Sequence, residues 1–160
     1  YCGQGRGTKA VRIEKQGDGF TVKELWSNPE NSVQFVTPVL KNNLLVGLSQ
    51  RNDFFCINTQ DGKTAWTAPL TPPAAGAETQ AGGGRGGRGR GGYGSVVDAG
   101  PVLLALTPAS ELIAFQPSDK AYTELARIKV ADTPTYAYPV VSGKRIFVQD
   151  QNAVILYTVE

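Results

Sequence analysis

The 160 residues include 16 basic and 14 acidic side chains, with 41% hydrophobic and 19% charged residues, a balance suited to one soluble globular unit with its own core. No apolar run approaches the roughly 20 residues needed to cross a bilayer as a helix, so no membrane span is expected. The absence of histidine removes imidazole acid–base catalysis, Ser/His/Asp and Cys/His triads, and His-ligated metals. The Gly/Arg tract from Gly82 to Gly94, with Arg85, Arg88 and Arg90, carries +3, so the net charge of +2 leaves −1 for the remainder. The rest of the chain is close to neutral, so a nucleic-acid surface spread over the whole domain is not expected. The chain also lacks methionine and opens on Tyr1-Cys2-Gly3, which leads us to expect that upstream residues, including any export signal, have been removed.

In chain order, strands are predicted at 8–15 and 20–27, then at 36–40, 44–49, 53–58 and 63–68. After a Pro/Ala-rich and then Gly/Arg-rich stretch at 71–94, further strands are predicted at 95–99, 102–107, 111–116 and 122–130. The last three are expected at 136–141, 145–149 and 153–159. Val, Ile, Leu, Phe and Tyr fill these segments, while Gly, Asn, Asp, Pro and Ser mark the turns between them. No segment shows capped apolar periodicity at helical spacing.

The chain repeats itself. Leu45–Asn58 aligns without a gap on Leu103–Gln116, each being an apolar run, a polar turn of about five residues and a second apolar run. The pattern recurs at Ile146–Tyr157, and upstream Ala10–Ile13 aligns with Phe54–Ile57. Separations of 44, 58 and 42 residues surround the roughly 40–50 of a four-stranded propeller blade, and the longest contains the Gly/Arg tract. Four copies follow, with blades at 1–28, 36–70, 95–130 and 136–160, and 71–94 as an insertion. Thirteen predicted strands leave the first and last blades incomplete.

Asp61-Gly62-Lys63-Thr64-Ala65-Trp66 resembles the blade signature of the pyrroloquinoline-quinone-type (PQQ-like) β-propeller repeat, with Asp61 where that family usually has Thr. Trp26 falls at the equivalent position of the preceding copy. Thr37-Pro38-Val39-Leu40 and Tyr138-Pro139-Val140-Val141 resemble the family's innermost strand. The third copy departs, with Leu125-Ala126 where tryptophan is expected. The resemblance implies an all-β fold, a segment of about three to four four-stranded antiparallel blades from a ring of seven or eight. It also implies a glycine in a tight turn at Gly62 and tryptophans covering the gaps between blades. Asp61, Gly62, Trp66, Trp26, Pro38 and Pro139 are therefore expected to be structural blade residues.

Quinone-dependent dehydrogenases of this family need a calcium site, an aspartate base, a tryptophan floor and often vicinal cysteines. The sequence assembles none of these. Asp98, Asp132 and Asp150 are candidate carboxylates, yet each also fits a turn. Gly3-Gln4-Gly5-Arg6-Gly7 lacks the helix that a phosphate loop needs and is expected to be a blade turn. Cys2 and Cys56 lie in no CxxC or metal-ligand spacing and leave three states open: one disulfide, two thiols, or pairing with another chain. Arg85, Arg88, Arg90 and Tyr93 resemble an RGG-type segment, with a flexible insertion as the simpler reading and contact with a partner as the functional one.

The expectation is a non-catalytic PQQ-like propeller without cofactor, acting as a protein-interaction scaffold, similar to the propeller lipoproteins of the outer-membrane β-barrel assembly machinery. The alternative is part of a PQQ-dependent alcohol or sugar dehydrogenase, and only there would PQQ and calcium bind. Protein partners, or further copies and blades completing the ring, are expected; nucleic acid is not. The resemblance implies a periplasmic, cell-surface or secreted location.

Overall fold

A computed structural model describes residues 2, 3, 5–49, 51–70 and 94–159. Among them are fourteen strands and no α-helix, arranged as four antiparallel meanders in chain order. The first sheet is β1 (Cys2–Gly3), β2 (Gly7–Gln16) and β3 (Gly19–Asn28). The second is β4 (Val39–Lys41), β5 (Leu44–Leu48), β6 (Asp53–Asn58) and β7 (Thr64–Pro69). The third is β8 (Ser95–Asp98), β9 (Leu103–Leu106), β10 (Glu111–Phe115) and β11 (Glu124–Lys129). The fourth is β12 (Val140–Ser142), β13 (Arg145–Gln149) and β14 (Val154–Thr158).

The expectation of four strands per sheet holds for the two middle sheets. The first and last have three each among the described residues. One strand, β1, escaped the sequence reading because two residues carry no periodicity. Two strands start three or four residues later than expected: β4 at Val39 instead of 36, and β12 at Val140 instead of 136. Each starts directly after a proline, Pro38 or Pro139, which has no N–H to give to a ladder. The strand expected at 122–130 begins at Glu124, and Tyr122 turns instead onto the Phe54 and Phe115 rings, with centroids 5.0 and 5.4 Å away.

The core lies between sheets. Leu44, Val46, Phe54, Cys56 and Trp66 of the second sheet pack on Val96, Leu103, Ala105, Ile113 and Phe115 of the third. Leu104, Leu106 and Leu112 of the third pack on Ile146 and Val148 of the fourth. Phe55 and Ile57 point the other way, towards Val33, Trp26 and Cys2. Successive strand residues face opposite sides, so a strand covered on both faces must be apolar throughout. This explains the unbroken run Phe54-Phe55-Cys56-Ile57, all fully buried. Each such large side chain contributes about 1.5–3 kcal/mol through burial. β14, by contrast, alternates exposed and half-buried positions, because one of its faces is covered and the other is not.

No disulfide joins Cys2 to Cys56, which removes the first of the three alternatives. Cys2 lies 2.8 Å from the Thr8 hydroxyl, and burial pushes the Cys56 thiol up to about 11.

Candidate interaction surfaces

The tryptophan positions are set by a device repeated in three sheets. A β-bulge lies between Ala10 and Val11, between Cys56 and Ile57, and between Ala114 and Phe115. Each passes over one residue of the neighbouring strand: Leu25, Ala65 and Leu125 respectively. The bulge leaves Trp26 opposite Ala10, Trp66 opposite Cys56, and Ala126 opposite Ala114. Ala126 is thus the structural counterpart of both tryptophans.

Trp26 reaches from the first sheet to the second, donating from Nε1 to the Thr59 carbonyl at 2.7 Å. Its ring lies on Gly62, where φ is +74° and a Cβ would come within 2.7 Å of the indole. Only glycine satisfies both demands. Trp66 does the same one sheet on, donating to the Ser118 carbonyl at 2.8 Å and lying 5.9 Å from the Tyr122 ring. Asp61 shapes the turn by accepting the Lys63 N–H at 3.0 Å.

The candidate carboxylates are held by local contacts. Asp98 accepts from Lys41 at 2.6 Å and from the Gly100 N–H at 2.9 Å, and these bonds hold its carboxyl below the usual range. Lys41 also bonds the Gly100 carbonyl. Asp150 closes its own turn by accepting from Asn152 and Ala153, which lowers its pKa too. Asp132 is exposed in the segment before β12. Among the described residues no three Cys, Asp or Glu side chains gather where a metal could be held.

Sequence reasoning missed a cluster of charged side chains around Arg127. Arg127 bonds Glu124 through Nε and Nη2 at 2.9 and 2.8 Å, Glu111 through Nη1 at 2.9 Å, and the Leu70 carbonyl at 2.9 Å. Tyr122 donates to Glu124 at 2.9 Å. The guanidinium bonds hold the Glu124 carboxyl below the usual range, while burial and the Glu124 bond raise the Tyr122 hydroxyl. Arg127 thereby ties the end of the second sheet to the third. The signal was present as opposite charges across the β10–β11 hairpin, but which charge meets which depends on the bulge.

Exposed apolar side chains gather on the outer faces of the first and fourth sheets. On the first sheet, Val11, Ile13, Phe20 and Val22 share the face turned away from the second sheet, and all are exposed. On the fourth, Val140, Phe147 and Leu156 are in register on the face turned away from the third, with Val154 beside them. Their counterparts in the second sheet are Val46, Cys56 and Phe54, fully buried by the third. Val154 is 67% exposed and Leu156 50%. The same position in the repeat is core in one sheet and bare in another. A third apolar area is aromatic: Phe35, Tyr136 and Tyr138 are exposed in the segments leading into β4 and β12, which are joined by a bond from the Thr37 N–H to the Tyr138 hydroxyl. Arg85, Arg88, Arg90 and Tyr93 lie outside the described residues.

No protein-family model matches the sequence, and no curated protein matches it. Solved structures do. A chain in the crystal structure of the mitotic checkpoint complex aligns at a TM-score of 0.56 and 14% identity, over 88% of this chain and 44% of that one. BamB from Moraxella catarrhalis aligns at 0.50 and 12%, over 95% of this chain and 43% of BamB. The chain thus spans somewhat under half the length of either propeller. Four successive antiparallel sheets, stacked face to face and matched to these two structures, make the chain an all-β segment of a β-propeller.

Proposed function

We propose that this propeller segment is a protein-interaction scaffold that does no chemistry of its own and needs no resident cofactor. The observation that carries the reading is the pair of bare sheet faces, Val11/Ile13/Phe20/Val22 and Val140/Val154/Leu156, the latter with Phe147 half-buried among them. Contiguous apolar surface of this kind marks contact with another protein surface. The fold adds support, since stacked blades present broad faces and rims rather than a deep polar pocket. The polar cleft near Arg51, Asp53 and Glu30 is lined by charges of both signs. Further blades, from another copy or from additional chain, fit the bare faces best because the interior sheets already show how such a face is covered. The Gly/Arg tract, through Arg85, Arg88, Arg90 and Tyr93, is proposed as a second contact for a partner.

The finer reading is that the repeats are of the PQQ-like type and that the protein works in the cell envelope or outside the cell. It rests on the Asp61–Trp66 signature and on the inner-strand prolines. A precursor lacking any export signal would overturn the location. Titration of the chain with pyrroloquinoline quinone and calcium, followed by absorbance and calorimetry, tests the non-catalytic reading. No saturable binding is expected. Stoichiometric uptake of both would instead make the chain part of a quinone-dependent dehydrogenase.

A further inference from the structure

The gap between the third and fourth sheets lacks the indole that fills the two preceding gaps. With Ala126 at the tryptophan position, a cavity of about 430 Å³ opens there, lined by Leu112, Ala114, Ala126, Val141, Ile146 and Val159 among others. Its lining contains no carboxylate, and its one charged residue is Lys144. We propose that this cavity binds a small flat aromatic molecule of the indole class, one with a single N–H donor.

The repeat itself specifies that chemistry. In the first gap, the Trp26 N–H is accepted by the Thr59 carbonyl, and the Thr59 N–H donates in turn to the Asn43 carbonyl at 2.9 Å. In the fourth sheet, the Val159 N–H donates to the Lys144 carbonyl at 2.8 Å. Asn43 and Lys144 each close the two-residue loop between the first two strands of their sheet, so Val159 is the counterpart of Thr59. The acceptor that satisfies an indole N–H in the first gap therefore has an equivalent at the wall of the third. The floor is suited as well: Ala114 and Ala126, side by side, offer a flat apolar patch where Cys56 and Trp66 stand in the second sheet. Apolar cavities far smaller than this one take up benzene, so a bicyclic ring is within reach. A charged or sugar-like ligand would lose its hydration without gaining partners.

The test is titration of the whole chain with indole, read by methyl chemical shifts and intermolecular nuclear Overhauser effects. Saturable shifts are expected at the methyls of Val141, Ile146 and Val159, with direct transfer from the ring protons. Ala126→Trp places the protein's own indole in the cavity and should weaken binding at least ten-fold. If that variant fails to fold, Ala114→Leu, which raises the floor, serves the same purpose. N-methylindole, with the same shape and no donor, should bind several-fold more weakly than indole. Absent shifts, shifts confined to the end-face methyls of Val22 and Leu156, or undiminished binding by the filled variant would each overturn the proposal. Equal affinity for indole and N-methylindole would overturn the role given to the Val159 carbonyl.

Discussion

Trp66 is more than a filler between sheets, because its nitrogen is satisfied by the Ser118 carbonyl and its ring meets Tyr122. Removing it takes away both terms. Trp66→Ala is expected to cost about 3–5 kcal/mol, measured by denaturant unfolding. Trp66→Phe should cost less, mainly the roughly 1–3 kcal/mol of a carbonyl left without its donor. Gly62→Ala adds a Cβ where the backbone is left-handed and the Trp26 ring is already in contact, so it should destabilise by more than 1 kcal/mol. Cys56 gives a pH dependence. Its pKa of about 11 in the fold lies above that of an exposed thiol, so the unfolded chain loses its proton first as pH rises. The thiol's contribution is complete below the unfolded value of about 8.5 and declines as pH rises towards the folded one. Thermal midpoints should therefore be flat near neutrality and fall above about pH 9, and the fall should be smaller in Cys56→Ala.

At the scale of elements, the sequence speaks clearly where a strand is buried on both faces and faintly where it is not. Phe54-Phe55-Cys56-Ile57 announces an interior strand because every position is apolar, and Pro38 and Pro139 mark where inner strands can begin. The bulges were not legible, because Leu25, Ala65 and Leu125 share no side-chain property that marks them as passed over. Without the bulges the Arg127 cluster could not be found, since they decide which charges meet. Nor could the sequence show that the Leu125-Ala126 departure opens a cavity, since that depends on the fourth sheet leaving the space empty. The Arg127 cluster makes its own prediction. Arg127→Ala should cost about 2 kcal/mol, as hydrogen bonds to charged groups are lost and Glu124 keeps the Tyr122 hydroxyl but loses its cation. Because the Glu124 pKa is lowered in the fold, its contribution is present above the ordinary carboxylate range. Acid unfolding should begin at lower pH in the native chain than in a Glu124→Gln variant that keeps the other contacts.

For the whole molecule, the two middle sheets pack between neighbours, the fourth is covered on one face, and the β2–β3 hairpin of the first projects with both faces exposed beyond Ala10 and Trp26. Opening should therefore proceed from the ends inward. Hydrogen exchange is expected to be slowest in β5, β6, β9 and β10 and fastest in the β2–β3 hairpin, whose residues 11–25 are all exposed. Uniform protection across the four sheets would show that the ends are covered in solution even at the dilution of that experiment. If the bare end faces are interfaces that another blade covers, sedimentation velocity of the 160-residue chain across micromolar concentrations will register it. Concentration-dependent association is expected, and it should be lost when Leu156 and Val154 are both replaced by Asp. A compact monomer at every concentration, unchanged by those substitutions, would contradict it.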